Sequence, residues 1–246
     1  MKIPRTFLKV ATLAGTMLLI LPGCVVKQAN VGPEGMLSVL GPFSGFSLED
    51  LPDDWAVMKN GPLDESLLQI VVKDGVPSLK ITNAEDTFIV VRRTKAMMLA
   101  TPFLSWSWFI EPPSTSGYHP VRLVIGFYGG NPASRSRGSQ PFRWLESSLP
   151  AHDRAISLTW GESALQRGTL TAPPPGSTNA AARYTVRGGR ENAGSWWLET
   201  VDLSDLYRQV WPKDDSTKAQ VVFIGIAAAA GRAPAPAHVS GIILSR

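Results

Sequence analysis

The feature that most constrains the fold is a series of short hydrophobic runs with a two-residue period, separated by turn residues. The clearest run covers residues 103–110, where Leu104, Trp106, Trp108 and Ile110 fall on one side and two serines on the other. Successive side chains of a β-strand point to opposite faces, so this pattern predicts a strand with one face in a core. We therefore expect Trp106 and Trp108 to be core residues.

The remaining runs and the turns between them predict an all-β fold. Asp74-Gly75 stands between two such runs and is typical of a hairpin turn. Only residues 204–210, followed by Pro212, are typical of a helix. The predicted strands are residues 67–72, 76–82, 88–91, 103–110, 121–127, 155–160, 183–187, 196–201, 221–227 and 239–244. Many short strands and one short helix indicate a two-sheet β-sandwich or jelly roll.

The N-terminal segment resembles a bacterial lipoprotein signal peptide. Three cations precede an apolar stretch at residues 10–21, which is short for a membrane span. The stretch ends in Leu21-Pro22-Gly23-Cys24, which is similar to a lipobox, and Cys24 is the only cysteine. The resemblance implies cleavage before Cys24 and acylation of its sulfur, which anchors the chain in a lipid bilayer. An ordinary secretory signal with a chance cysteine, or a buried structural thiol, is the alternative.

Cleavage before Cys24 would divide the chain into three parts. Residues 1–23 are the signal peptide, residues 24–42 a lipidated N terminus and tether, and residues 43–246 a single sandwich domain. Val25, where retained lipoproteins carry aspartate, favours the outer membrane, with the domain facing the periplasm or the surface. The leader holds three of the 24 cations, so 21 cations face 20 acids and the net charge falls from +4 to +1. Nucleic-acid binding needs a concentrated excess of cations and is excluded.

Three stretches together resemble one bacterial family. Residues 101–108 (TPFLSWSW) are similar to a P-x-L-S-W-x-W core, and residues 158–161 (LTWG) to an apolar-x-W-G strand end. Residues 197–201 (WLETV) and 205–208 (DLYR) are similar to a W-x-x-E segment and a D-Y-R helix. These are the motifs of the domain-of-unknown-function family numbered three-zero-four-seven, and the resemblance covers residues 43–246. It implies an exported β-sandwich with no established activity.

The sequence departs from that family at two places. Tyr118-His119-Pro120 stands where the family carries adjacent acids, just before the strand that holds Arg122. Four alanines stand where the family has a D-x-D-like stretch, after the strand around residues 224–226. If those acids bind a metal or transfer protons in relatives, this chain lacks that capacity. We expect no metal and no cofactor.

The eight tryptophans are the first candidates for ligand contacts. Aromatic rings stack on sugar faces, but tryptophan also fills sandwich cores. Trp196 and Trp197 are neighbours in a predicted strand, so their rings point to opposite faces and one of them is partly exposed. We take Trp197, together with Trp144 in the long loop at residues 129–150, as candidate contacts.

Arginines supply the second group of candidates. Arg135, Arg137 and Arg143 lie in the same loop as Trp144 and would recognise lipopolysaccharide phosphates or an anionic glycan. The alternative for this loop is a solvated insertion. Arg122 lies in an apolar strand and either faces solvent, forms a buried pair with a carboxylate such as Glu199, or contacts the ligand.

A catalytic set has little support in the sequence. The three histidines lack metal-ligand spacing, residues 161–165 lack the second glycine of a nucleophile elbow, and no phosphate-binding glycine loop is present. Glu146, Glu162, Glu191 and Glu199 are available carboxylates, but no acid–base pair can be assigned among them. The sequence therefore predicts a membrane-anchored, non-enzymatic sandwich that binds a glycan or another envelope component. A structural lipoprotein that binds an envelope protein, and a carbohydrate-active hydrolase that uses Glu199, are the alternatives.

Overall fold

Two β-sheets pack face to face in the computed structural model, as the sequence predicts. The structure describes residues 27–41, 50–59, 64–112, 116–135, 149–174 and 181–246. The predicted signal peptide and Cys24 lie outside these ranges. Within them, no helix combines the length and the apolar character that crossing a membrane requires.

The larger sheet has eight strands among the described residues, in the order β1-β6-β13-β8-β9-β11-β10, with β3 paired to β6. Its strands are β1 Ala29–Asn30, β3 Trp55–Met58, β6 Phe88–Met97, β8 Val121–Tyr128, β9 Arg154–Gly161, β10 Leu170–Thr171, β11 Ala182–Gly188 and β13 Gln220–Ala228. Two of its pairs are parallel, β1 with β6 and β9 with β11. The other pairs are antiparallel.

The smaller sheet has six strands among the described residues, in the order β12-β7-β14-β5-β4, with β2 paired to β14. Its strands are β2 Met36–Leu40, β4 Leu68–Lys73, β5 Val76–Ile81, β7 Phe103–Ile110, β12 Trp196–Asp202 and β14 Ala237–Ser245. All its pairs are antiparallel. The helix α1, Leu203–Val210, follows β12 directly, and the Asp202 carboxylate accepts the Asp205 backbone N–H at its start.

The core lies between the sheets and is built on tryptophan. Trp106 and Trp108 are fully buried, with Leu104 and Ile110 on the same face, which confirms the pattern in the sequence. Their rings meet edge to face at 5.5 Å, and Trp108 meets Trp160 of the opposite sheet in the same way at 5.6 Å. These contacts connect the two sheets and stabilise the sandwich beyond simple burial.

The hairpin and the helix agree with the sequence, while β1, β2, β3 and β10 are strands that the sequence pattern does not predict. Asp74 and Gly75 both have positive φ, which produces the tight turn between β4 and β5. Residues 29–30 and 36–40, expected in the tether, instead form β1 and β2, which pair with the distant strands β6 and β14. β6 also continues to Met97, past the expected end at residue 91. The strand continues because its backbone stays paired with β13, from Arg92 opposite Ile224 to Met97 opposite Gln220.

Candidate functional site

A cleft of about 300 Å³ opens where three chain segments meet at strand ends. β9 and β11 are parallel, so their C-terminal ends at Gly161 and Gly188 lie side by side. The loop before β8 joins them, because the His119 backbone N–H donates to the Trp160 carbonyl at 3.0 Å. The cleft is lined by residues 116, 117 and 119, by 160–163 and by 189–191, and we call it the end cleft. Its volume is typical of small-molecule sites.

Close backbone approach fixes the walls of the end cleft. The Gly189 backbone N–H donates to the Gly161 carbonyl at 3.1 Å. A Cβ atom on Gly188 would lie only 2.5 Å from the Ser163 carbonyl oxygen, so no larger residue fits there. Gly189 also has a φ of +91°, which favours glycine. The glycines therefore hold two walls together before any ligand arrives.

His119 is a buried polar group at the end cleft. Its Nδ1 accepts the Val121 backbone N–H at 3.2 Å, so the neutral ring carries its proton on Nε2. That Nε2 is buried and has no hydrogen-bond partner in the described part of the chain. Burial lowers the pKa of His119 to about 4, so the ring is neutral at neutral pH. The result is an unused N–H donor in the wall of the end cleft.

Charged side chains of both signs stand at the rim. Glu162, Arg190 and Glu191 are exposed and line the opening. The Ser163 hydroxyl oxygen accepts the Leu165 backbone N–H in a capping box, which occupies this group locally. Among the described residues, no group of three or more His, Cys, Asp or Glu side chains is placed to hold a metal ion.

Trp197 and Glu199 stand behind one wall of the end cleft. Glu199 is buried and forms an ion pair with Arg187 of the opposite sheet at 2.5 Å. The Arg187 guanidinium lies over the Trp197 ring, 3.7 Å from its centroid, and the Trp197 indole N–H donates to the Asn192 carbonyl. Because Arg187 directly precedes Gly188, this cluster holds the 188–192 loop in position. The two side chains support the wall and do not form an open platform, which corrects their expected place on a binding surface.

Arg122 lies on a different surface from Trp197 and Glu199. The core contains Val121 and Leu123, so Arg122 between them points to the outer face of the larger sheet. Arg122 therefore does not pair with Glu199, whose ion-pair partners are Arg187 at 2.5 Å and Arg167 at 3.9 Å. The expected residues thus do not converge, since they belong to different sheets and opposite faces.

The basic loop lies largely outside the described residues. Trp144, Arg137 and Arg143 fall in residues 136–148, and only the backbone of Arg135 is described, in the short helical turn Pro132–Arg135. Their contact with a ligand stays a prediction.

The local sequence does not predict the combination of His119, Glu162, Arg190 and Glu191. In the sequence Glu162 and Glu191 are only unassigned carboxylates, because the parallel pairing of β9 with β11 is what brings them to one cleft. A usable signal was present in the glycines at the ends of both strands, Gly161 and the pair Gly188-Gly189. Glycine at a strand end beside polar residues is typical of close backbone approach.

Fold and site together define a β-sandwich protein with a ligand-sized cleft at its strand ends. No protein-family model and no curated protein sequence matches this chain. It is similar to a family 11 carbohydrate-binding module from Clostridium thermocellum solved with a β-1,3-1,4-mixed-linked tetrasaccharide, at 10% identity and a TM-score of 0.42 over 85% of this chain and 94% of that one. It is also similar to a family 12 xyloglucanase from Bacillus licheniformis, at 10% identity and a TM-score of 0.40 over 90% and 97%. A third similar structure is a thermostable cellulase derived from Cel12A of Rhodothermus marinus, at 11% identity and a TM-score of 0.41 over 79% and 93%.

Proposed function

We propose that this protein is a non-catalytic, glycan-binding β-sandwich that holds a sugar in the end cleft. The observation that carries the proposal is a glycine-walled cleft of about 300 Å³ that has charges of both signs at its rim and the polar ring of His119 in its wall. Such a combination of a preformed cavity and converging polar groups is typical of small-molecule sites.

The chemistry of the end cleft suits hydroxyl groups. Glu162 and Glu191 supply acceptors at the rim, while Arg190 supplies donors. A sugar hydroxyl donates and accepts at once, so a polyol satisfies both kinds of group. Two carboxylates beside one guanidinium do not favour a strongly charged ligand. A neutral sugar unit therefore matches this lining best.

Binding without hydrolysis agrees with the environment of the carboxylates. Glu162 and Glu191 stand exposed at the rim, whereas the general acid of a glycosidase is held in a desolvated pocket. Glu199, the carboxylate expected for a hydrolase, is occupied by Arg187. The presence of two carboxylates at one cleft does favour a hydrolase as the second candidate, with Glu162 and Glu191 as its acid and base.

Affinity electrophoresis against a panel of neutral polysaccharides tests the proposal. We use the full chain in detergent micelles, the double variant E162Q/E191Q, and E85Q as a matched control, since Glu85 is exposed outside the cleft. Loss of the cleft acceptors should weaken retention by about tenfold or more, and E85Q should match the parent protein. Failure of every neutral polysaccharide to retain the parent protein contradicts the proposal. If the parent protein releases reducing sugar and E162Q/E191Q does not, the protein is the hydrolase of the second candidate function.

We further propose that Cys24 anchors the protein in the outer membrane as an acylated lipoprotein. The lipobox-like Leu21-Pro22-Gly23-Cys24 and the single cysteine support this. Mass spectrometry of the mature N-terminal peptide should show acylation on Cys24, and density fractionation should place the protein with the outer membrane. A C24S variant should stay unprocessed. An unmodified cysteine thiol in the mature protein refutes the anchor.

A further inference from the structure

The larger sheet has an uneven charge. None of its eight strands contains an aspartate or a glutamate. The cations in these strands are Arg92, Arg93, Lys95, Arg122, Arg154, Arg183 and Arg187. Three of them are neutralised by carboxylates from outside the sheet, namely Asp54, Asp214 and Glu199. The remaining cations leave the sheet itself positively charged.

Arg122 differs from every other partly buried arginine in the described ranges. Arg92, Arg154 and Arg187 each pair with a carboxylate at 2.8 Å or less, and Arg93 donates to two backbone carbonyls. No hydrogen bond, ion pair or ring contact joins Arg122 to another residue in the described ranges. Burial alone lowers its pKa. A partly desolvated guanidinium without a partner costs free energy, so packing does not explain its position.

The surroundings of Arg122 connect it with the end cleft. Its cross-strand neighbours are Thr159 on β9 and Ala227 on β13, neither of them charged. Thr159 directly precedes Trp160, which lines the end cleft, so the Arg122 Cα lies about 6 Å from the Trp160 Cα by strand geometry. Arg183, on the same outer face, stacks on Tyr118 at 4.4 Å. Tyr118 stands between two lining residues, so the cleft and this positive face share one loop.

We propose that Arg122 forms an anion subsite beside the end cleft, which receives a carboxylate, sulfate or phosphate substituent of a glycan. The guanidinium offers a planar fork that binds two oxygens of such a group. The neighbouring cation Arg183 adds favourable charge, and no acidic side chain of this sheet opposes it. The inference rests on the proposed function: a neutral sugar unit occupies the cleft, and an acidic substituent reaches Arg122.

A matched pair of polysaccharides tests the subsite. Hyaluronan, in which a neutral amino sugar alternates with an acidic sugar, and its carboxyl-reduced form differ only in the charge of every second sugar. The parent protein should bind the acidic form about tenfold more tightly or better, as one charge-assisted forked contact provides. R122Q should bind both forms equally, and R122K should fall between, since it keeps the charge and loses the fork. The control R208Q, which removes an exposed arginine paired with Asp205, should behave like the parent protein.

The outcomes separate this inference from the proposed function. R122Q should change only the binding of the acidic form, while E162Q/E191Q should change the binding of the neutral form. An acid preference that survives in R122Q overturns the subsite, and the cleft proposal stands. If neither polysaccharide binds, the subsite is tested by thermal unfolding. The Tm is measured in sodium sulfate and in sodium chloride at equal ionic strength. Sulfate should then raise the Tm of the parent protein by about 3 °C more than that of R122Q, and equal shifts overturn the subsite.

Discussion

Substitution of Glu199 by glutamine should destabilise the protein by about 3 kcal/mol. The Glu199 and Arg187 side chains are 3% and 11% exposed, so removal of one charge leaves the other buried and unpaired. Two charges about 4 Å apart attract by about 4 kcal/mol at an effective dielectric of 20. The contact of Arg187 with the Trp197 ring survives and offsets part of this loss. At about 2–4 °C per kcal/mol for a chain of this size, Tm should fall by roughly 6–12 °C.

Urea unfolding followed by tryptophan fluorescence measures this loss, with E191Q as the control. Glu191 is exposed, so E191Q should change the free energy of unfolding by less than about 0.5 kcal/mol. The double variant R187M/E199M replaces the whole pair with apolar groups and should lose only about 1 kcal/mol or less. A loss below about 1 kcal/mol in E199Q, or an equal loss in E191Q, refutes the structural role assigned to this pair.

Three further predictions concern the end cleft and its surroundings. G188A should lower both glycan retention and Tm, because its Cβ would lie 2.5 Å from the Ser163 carbonyl oxygen; unchanged retention contradicts the glycine-walled cleft. R122Q should leave Tm unchanged or raise it, as circular dichroism will show, since the guanidinium has no partner to lose; a fall of several degrees indicates a structural role. The pKa of His119 is about 4 in the fold and 6.5 in the unfolded chain, so the unfolded state binds the proton first. The contribution of His119 to the free energy of unfolding should be complete above pH 6.5 and fall by about 3 kcal/mol towards pH 4. Urea titrations at several pH values should show this pH dependence in the parent protein and not in H119Q.

The sequence predicts local features well because they depend on neighbours in the chain. The alternation around Trp106 and Trp108 identifies the core face of β7, and Pro212 marks the end of α1. The sandwich class follows from the same patterns.

Features that depend on pairing between strands far apart in the sequence are not predicted by local patterns. β1 and β2 have weak patterns of their own and become strands only through β6 and β14. The end cleft exists because β9 and β11 run parallel, with residues 162–181 between them. The ion pair of Arg187 with Glu199 likewise joins two sheets. None of these pairings leaves a periodic trace in the sequence, so Arg122, Trp197 and Glu199 could not be assigned to separate surfaces in advance.

The central claim is that the end cleft binds a sugar, and an amide chemical-shift titration tests it most directly. The ligand is the neutral oligosaccharide from the polysaccharide that retains the protein most strongly. The backbone amides of Gly117, Gly161 and Gly189 should shift together and saturate at one dissociation constant, because they line the three walls. Saturable shifts that leave these three glycines unmoved, or no shift with any member of the panel, contradict the account.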